Sequence, residues 1–350
     1  MAIDVSVVIP TYNKKEFLEI TLTALKLQTY PIDKYEVVVV NDGSTDQTDD
    51  FISSLKVPYQ INYTRQENKG RSAARNRGIE QAKGETIIFI DDDCIPAPTF
   101  IERHQKFHSE SDNFSVIGYR YQTFFKMLPD SSANKGILIE QLKRHKMLHY
   151  LKNVPENTAL IRPEDILRHG FDKLVQLSYW GERDRWEQVY DTYTSNMNGF
   201  VLPWLLFVTS NVSVKKRHLG RHMELFDEKF KGWGLEDFEM GYRLYKRGLR
   251  FVLDREAIVY RLMHQLSDEH KIVSKVGNYI KFCQKHPYIE IYLHWRLSTY
   301  QLDIHTYNVM VQQYYDLVEK KQVMRDYYQL VKDQCERYGH NLEYRHQKGG

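Results

Sequence analysis

Cysteine is scarce in this sequence, with three among 350 residues. Cys94, Cys283 and Cys335 lie far apart along the chain and show no CxxC spacing. The sequence therefore predicts neither a disulfide framework nor a zinc site, and a reducing cytoplasm is the compartment that such cysteine usage favours.

Long apolar runs are also missing. The most apolar stretch, residues 199–208 (GFVLPWLLFV), is half the length that a membrane-spanning helix needs and contains Pro203. The chain enters a strand-like run within a few residues of Met1, which leaves no room for a secretory signal. We expect a cytoplasmic protein, with peripheral association at a membrane kept as an alternative.

No strong excess of one charge is present. Lys and Arg number 49 against 46 Asp and Glu, which gives a net charge of +3. This balance is typical of a soluble globular protein and indicates no nucleic-acid partner. The first strand is not followed by GxGxxG, and there is no P-loop, so neither dinucleotide binding nor NTP hydrolysis gains support.

Strand-like and helix-like patterns alternate over the first hundred residues. Residues 5–9 (VSVVI) and 35–40 (YEVVVV) predict buried strands, and residues 16–28 between them predict the crossover helix of a βαβ unit. Further predicted elements are a helix capped by Ser44 and Thr45, a strand over 59–63, a helix over 72–82 and a strand over 86–90 (TIIFI). The pattern predicts an α/β fold with an open, doubly wound, mostly parallel sheet.

The later part of the chain is less regular. Between residues 115 and 204 one helix is predicted, over 136–151, followed by a helix over 235–246 and a strand over 250–253. The last 80 residues contain 11 of the 25 tyrosines and have helical apolar spacing. We expect a C-terminal α-helical region over 266–350, which could form a homodimer, dock a partner enzyme or pack on the rest of the chain.

Three polar clusters follow predicted strands: residues 10–13 (PTYN), 41–44 (NDGS) and 91–93 (DDD). Each cluster alone is typical of a turn. Because ligands of open parallel sheets bind beyond the carboxyl ends of the strands, the three together predict a binding site.

The aspartates at 91–93 repel one another unless a cation lies among them. A divalent metal is the simplest candidate, since carboxylates and substrate phosphates are the ligands that Mg²⁺ and Mn²⁺ prefer. In an extended backbone Asp91 and Asp93 point to one side and Asp92 to the other. A solvated acidic loop is the alternative.

Two further segments carry charged groups. Residues 68–76 (NKGRSAARN) bring three cationic side chains to the start of a helix, where they either meet a diphosphate or are simply solvated. Residues 232–237 (GWGLED) place two carboxylates at the start of another helix, either as caps or as a general base. His264 is either structural or a metal ligand.

Ordered blocks of this sequence resemble family 2 glycosyltransferases with the GT-A fold. SVVIPTYN, VVVVNDGSTDQT, ENKGRSAARNRGIEQAKGE and IIFIDDDCIPAP resemble their nucleotide-binding half. TSNVSVKK and FDEKFKGWGLEDFEMGYRLYKRG resemble the acceptor half of a subgroup that includes bacterial chondroitin polymerase. The resemblance implies a GT-A domain over 1–265, with a nucleotide-binding half over 1–114 and an acceptor half over 115–265.

The resemblance also implies roles for individual residues. In the donor site these are Thr11 and Asp42 at the uracil, Asn68 and Arg75 beside the nucleotide, Asp91 at the ribose, Asp93 and His264 at the metal, and Asp92 with its metal contact left open. In the acceptor half Asp237 would be the catalytic base, Glu236 would assist acceptor binding and Trp233 would shape the pocket. Ser210 stands where the subgroup commonly has glycine.

The implied function is metal-dependent, inverting transfer of a sugar from a UDP-sugar to a hydroxyl of a glycan, glycolipid or protein. Asp237 would deprotonate the acceptor while Mn²⁺ or Mg²⁺ neutralises charge on the departing nucleoside diphosphate. Three alternatives remain at this point. They are a retaining enzyme similar to N-acetylgalactosaminyltransferases, a nucleotide-sugar-binding module without catalysis, and a nucleotidyltransferase.

Overall fold

A computed structural model describes residues 2–132, 134–147, 149, 154–169, 171–179, 185–220, 225–263, 268–298, 302–320, 329, 332–334 and 337. The strands are β1 Val5–Thr11, β2 Tyr35–Asn41, β3 Gln60–Arg65, β4 Thr86–Phe89, β5 Cys94–Pro96, β6 Phe114–Phe124, β7 Ser178–Tyr179, β8 Val212–Lys215 and β9 Arg250–Met263.

The described helices follow the same chain order. They are α1 Lys15–Leu25, α2 Thr48–Ser54, α3 Arg71–Gln81, α4 Phe100–Glu110, α5 Lys135–Arg144, α6 Pro163–His169, α7 Asp172–Gln176, α8 Arg185–Tyr193, α9 Glu236–Lys246, α10 Asp268–Lys285, α11 Ile289–Ser298 and α12 Ile304–Lys320. Short 3₁₀ turns cover Pro203–Leu206 and Lys216–His218.

The strands form one sheet in the order β3-β2-β1-β4-β8-β6-β9-β5, with β7 paired to β6. The first four strands are parallel, and Val5 of β1 lies opposite Tyr35 of β2 and Thr86 of β4. Every residue of β2 is buried, as expected for a parallel strand covered by helices on both faces. Beyond β4 the pairs of β8 with β4 and β6, and of β5 with β9, are antiparallel.

Several element boundaries differ from the predicted ones. Helix α2 begins at Thr48 rather than after Ser44, because the Ser44 hydroxyl accepts a hydrogen bond from the Asn13 N–H at 2.9 Å. Helix α5 ends at Arg144, short of the predicted residue 151. Strand β9 continues to Met263, well past the predicted residue 253, because its second half pairs with β5.

Two compact units make up the chain. One consists of residues 1–184, 208–225 and 252–266, and the other of residues 185–207, 226–251 and 267–350. Segments 185–207 and 226–251, which the sequence analysis assigns to the acceptor half, therefore belong to the same unit as the C-terminal helices.

The core of the second unit is aromatic. Trp204 is fully buried, and its ring centroid lies 5.3 Å from that of Tyr242 on α9 and 5.8 Å from that of Phe282 on α10. This packing joins α9 to the first of the C-terminal helices. Within the described part of the chain, no helix combines the length and apolar character that crossing a bilayer requires.

Candidate functional site

The carboxyl ends of β1, β2 and β4 carry the predicted polar clusters. Thr11, the last residue of β1, is buried, and its hydroxyl donates to Asp92 Oδ2 at 2.8 Å. Asp92 follows β4, which lies beside β1 in the sheet. The structure thus joins two of the clusters that the sequence placed at one edge of the sheet.

Each aspartate of 91–93 has a basic partner, and the partners come from three separate elements. The pairs are Arg75 Nη2 with Asp91 Oδ1 (3.1 Å), Lys14 Nζ with Asp92 Oδ1 (3.3 Å) and Asp93 Oδ2 (2.9 Å), and Arg261 Nε with Asp93 Oδ1 (3.8 Å). Lys14 precedes α1, Arg75 lies on α3 and Arg261 lies on β9. Mutual repulsion of the carboxylates is therefore offset by side chains of the protein itself.

Burial and pairing shift the pKa values of this cluster in opposite directions. Burial raises the pKa of Asp92 to about 6, even though the charge of Lys14 lowers it. Burial alone would lower the pKa of Lys14, but Asp92 and Asp93 raise it above its ordinary value. The pKa of the half-buried Arg261 is raised in the same way, mainly by Asp93. Both basic groups stay charged at neutral pH.

Asp91 and Asp93 are the candidate metal ligands. Their carboxylate oxygens and the Cys94 sulfur lie within 4.8 Å of one another. Burial, and then the charge of Asp93, raise the pKa of the Cys94 thiol. Sulfur is also a soft ligand, which Mg²⁺ and Mn²⁺ do not favour. The two remaining carboxylates are hard oxygen donors, which fit Mn²⁺ or Mg²⁺. His264, the predicted second ligand, lies outside the described residues.

Asp42 holds the loop that leads into α3. Its buried carboxylate accepts three hydrogen bonds, from Gln66 Nε2 (2.7 Å), Lys69 N (2.9 Å) and Gly70 N (2.8 Å). The loop passes so close to Gly43 that a Cβ there would lie 2.9 Å from the Asn68 N atom. Asn68 itself is exposed on this loop. Asp42 thereby fixes the start of α3 and, through it, the position of Arg75.

Ser210 and Asn211 are held by polar contacts within the first unit. Asn211 Nδ2 donates to the carbonyls of Tyr119 (2.9 Å) and Ala257 (2.8 Å), while Asn211 Oδ1 lies 2.9 Å from His104 Nε2. Next to it, the buried Ser210 hydroxyl accepts from Arg120 Nη1 at 3.2 Å. The side chain that distinguishes Ser210 from glycine thus has a basic partner on β6.

In the second unit, the predicted acceptor residues surround the start of α9. Trp233 and Asp237 are half-buried and Glu236 is buried. Asp237 Oδ1 accepts a hydrogen bond from the Phe238 N–H at 2.9 Å, inside the first turn. The backbone before the helix is left-handed at Gly232, Gly234 and Leu235, with φ of 73°, 92° and 75°.

Glu239, half a turn beyond Asp237, is the centre of a buried charge cluster. Its carboxylate pairs with Arg243 Nε (2.8 Å), Lys285 Nζ (3.1 Å) and His286 Nε2 (2.8 Å). Burial raises the pKa of Glu239, but the bonds from His286 and Arg243 outweigh burial and lower it to about 2. This carboxylate is ionised, and its oxygens are engaged in contacts within the protein.

Sequence reasoning missed the basic partners Lys14 and Arg261 and the buried Glu239. Lys14 directly follows the PTYN cluster, which is a signal that could have singled it out. Arg261 gives no local signal, because it reaches Asp93 through the pairing of β9 with β5, where it lies opposite Cys94. Glu239 resembles any other acidic residue in the first turns of a helix.

Residues 6–166 match the family model described as Glycosyl transferase family 2. These residues belong to that family. The family resemblance of the sequence blocks is thereby confirmed. Among curated relatives, chondroitin synthase of Escherichia coli is 30% identical over 257 residues, which cover 73% of this chain and 34% of that protein.

Two solved structures share the fold of this chain. S. aureus TarS 1-349 in complex with UDP superimposes with a TM-score of 0.51 at 17% identity, over 80% of this chain and 64% of that one. Mannosyltransferase PcManGT from Pyrobaculum calidifontis, in complex with GDP-Man and Mn²⁺, gives 0.52 at 17% identity, over 81% and 64%. The likeness confirms the predicted GT-A-type α/β fold. The chain spans less than two thirds of the length of these proteins and of the first curated relatives that it matches.

Proposed function

We propose that this chain is a metal-dependent, inverting glycosyltransferase that moves a sugar from a UDP-sugar to a hydroxyl of a glycan, glycolipid or protein. The observation that carries the proposal is the acidic cluster after β4. There, Asp91 and Asp93 bring carboxylate oxygens within 4.8 Å of each other, and basic groups from three elements hold the cluster. Such a site suits a divalent ion together with an anionic diphosphate.

On the donor side, Asp91 and Asp93 would hold Mn²⁺ or Mg²⁺, with His264 as a further candidate ligand. When bound, the ion would stabilise negative charge on the departing nucleoside diphosphate. Lys14 and Arg261 pair with Asp93 and would add positive charge beside the diphosphate.

Uracil recognition is assigned to Asp42 and Thr11. A carboxylate has about four lone-pair positions, and described residues of this chain occupy three of those on Asp42, so we assign the fourth to a uracil N–H. Asn68 is exposed on the loop that Asp42 holds, where it can border the nucleotide. Arg75 supports the Asp91 carboxylate, which we assign to the ribose.

On the acceptor side, Asp237 is the proposed general base. The carboxylate would take the proton of the acceptor hydroxyl as its oxygen attacks the anomeric carbon, and the bond to the diphosphate breaks in the same step with inversion. Glu236 would bind the acceptor and Trp233 would contact its sugar ring. The half-buried state of Trp233 and Asp237 supports these roles, because both side chains keep some access to solvent.

A pair of variants tests this assignment. UDP-sugars and GDP-mannose are screened with Mn²⁺ or EDTA for nucleotide release, first with water and then with chondroitin oligosaccharides as acceptor. We expect Asp93→Ala to abolish Mn²⁺-dependent UDP binding measured by calorimetry. Asp237→Asn should bind UDP within about twofold of wild type but lower turnover at least about 100-fold, the range expected for loss of a general base.

The matched control is Asp130→Asn, since Asp130 is a surface aspartate. It should behave as wild type in both measurements. Normal turnover by Asp237→Asn would show that Asp237 is not the general base. Equal UDP affinity in Mn²⁺ and in EDTA would show that donor binding does not need a metal. Preference for GDP-mannose would overturn the assignment of a UDP-sugar donor. A product of retained anomeric configuration, identified by NMR, would overturn the inverting mechanism. Binding of the nucleotide sugar without turnover would indicate a non-catalytic module.

A further inference from the structure

Helix α10 lies against the segment that carries Trp233. Four of its residues, at spacings of four, three and four, share one helix face. They are Ser274, Asn278, Lys281 and Lys285, and each approaches or contacts a residue between 227 and 234. The sequence resemblance ends before this helix, so no role for it is implied there.

Asn278 makes the central contact. Its side chain is buried, and the two hydrogens of its amide reach the carbonyls of Lys231 (2.9 Å) and Gly234 (2.8 Å). These carbonyls stand on either side of Gly232 and Trp233. One side chain therefore satisfies backbone carbonyls both before and after the tryptophan.

The conformation of this segment needs support from outside it. Gly232, Gly234 and Leu235 have positive φ, and for Leu235 that conformation is strained. At Gly232 the backbone lies so close to α10 that a Cβ would be 2.3 Å from Ser274 Oγ. The turn that sets the direction of Trp233 therefore depends on contact with α10.

The same helix also holds both ends of the segment. Lys281 Nζ donates to the Lys229 carbonyl at 2.7 Å, and Lys285 Nζ lies 2.8 Å from Asp227 Oδ2. Lys285 reaches Glu239 of α9 as well, at 3.1 Å. Helix α10 therefore makes hydrogen bonds or ion pairs with residues before Trp233, on either side of it, and beyond Asp237.

We propose that Asn278 is a positioning residue for the acceptor side of the enzyme, fixing the Trp233 segment and the first turn of α9 so that Asp237 is correctly placed. The inference rests on the proposed function for its kinetic consequence. Its structural consequence can be measured without any substrate.

The chain offers a matched control in Asn308 on α12. This residue is equally buried, donates to the Gly199 carbonyl at 3.0 Å and to Tyr193 Oη at 3.1 Å, and accepts from the Val201 N–H at 2.8 Å. Its contacts lie within the second unit but away from residues 227–239. Asn278→Leu and Asn308→Leu therefore remove comparable hydrogen bonds at different places.

Hydrogen exchange followed by mass spectrometry tests the structural part. Asn278→Leu should speed exchange in peptides covering residues 229–240 by at least about tenfold, whereas Asn308→Leu should leave those peptides unchanged. Lys281→Met removes a more peripheral bond and should give a smaller increase near residue 229, which keeps the test decisive if Asn278→Leu folds poorly. Equal exchange in both asparagine variants would overturn the proposal.

Turnover tests the kinetic part, with the UDP-sugar that wild type hydrolyses fastest in Mn²⁺ and with water as acceptor. Asn278→Leu should lower kcat about 10- to 100-fold, because small misplacements of a catalytic group cost rate on that scale. The KM for the UDP-sugar and the Kd for UDP should stay within about twofold. A changed Kd with unchanged kcat would contradict positioning. If hydrogen exchange rises at residues 229–240 in Asn278→Leu but the wild-type protein shows no turnover, the positioning of the segment is supported and the proposed function is rejected.

Discussion

At the scale of single residues, Lys14 has the contact that bears most directly on the acidic cluster. Its ammonium group lies 2.9 Å from Asp93 and 3.3 Å from Asp92, with 26% of the side chain exposed. A divalent ion on Asp93 would draw on the same negative charge. Lys14 and the proposed metal ion would therefore be alternative ways of neutralising the Asp93 carboxylate, and each would weaken the binding of the other.

Lys14→Met should reveal this relation in thermal unfolding. Without metal, the variant should lose about 1–3 kcal/mol of stability, less than for a fully buried pair because Lys14 is partly exposed. Added Mn²⁺ should then raise its Tm more than that of wild type, since an ion that binds the folded state stabilises it. Lys15→Met changes the neighbouring lysine and serves as control. Equal Mn²⁺ shifts in all three proteins would show that Lys14 does not oppose the metal.

At the scale of elements, α3 links the two parts of the proposed donor site. Its N-terminal flank at Gly70 is bonded to Asp42, and Arg75 on its buried face reaches Asp91. The helix lies close to β1 because Gly78 has no side chain. A Cβ there would be 2.4 Å from Val8 Cγ1 and 3.6 Å from Val40 Cγ2. The position of Arg75 thus depends on a glycine one helical turn away.

Gly78→Ala should therefore destabilise the protein even though alanine is the better helix former. Overpacking against Val8 should cost about 1–3 kcal/mol, more than the roughly 1 kcal/mol that helix propensity returns. Gly136→Ala on α5 is the matched control, because no atom lies within 4 Å of its added Cβ. It should be neutral or stabilising by up to about 1 kcal/mol. Urea midpoints measure both, and a Gly78→Ala midpoint equal to wild type would refute the close approach.

At the scale of the whole molecule, the two units contain different acid-sensitive groups. In the first unit, burial lowers the pKa of His104 from 6.5 to about 4 and, with help from the charge of His104, that of His108 to about 3. In the second unit, the pKa of Glu239 is lowered from 4.5 to about 2 by its basic partners, despite burial. All three groups bind protons more readily in the unfolded chain.

The sign of the effect follows from that difference in proton binding. As pH falls from 6.5 towards 4, the unfolded chain protonates its histidines while the folded unit does not, so the first unit should lose stability. Protonation of Asp92, whose pKa is raised to about 6 in the folded unit, offsets only part of that loss. For His104 alone the full loss is on the order of 3 kcal/mol. The second unit should lose the contribution of Glu239 only as pH falls from 4.5 towards 2.

Hydrogen exchange at pH 7, 5.5, 4 and 2.5, corrected for intrinsic rates, should show the first unit weakening before the second. His104→Gln should reduce the pH dependence of protection only between pH 6.5 and 4. Glu239→Gln should reduce it only between pH 4.5 and 2. Undiminished protection of the first unit at pH 4 would contradict the neutral state of its buried histidines.

Much of the fold and part of the site could be predicted from the sequence. Buried parallel strands are continuous β-branched runs, so β1, β2 and β4 were located to within two residues. The acidic cluster was visible because it directly follows such a run. The helix after Ser44 began later than predicted, because a side chain suited to capping was used in a contact with Asn13 instead.

The sequence by itself determined the α/β fold, the family and the edge of the sheet where the polar clusters meet, because these follow from local patterns and from motif order. Only the tertiary structure decided which basic groups neutralise the aspartates and which helix holds the Trp233 segment. Arg261 reaches Asp93 through the pairing of β9 with β5, and Asn278 reaches Lys231 and Gly234 through helix packing. Contacts between residues far apart in the chain depend on packing geometry, which local periodicity does not encode.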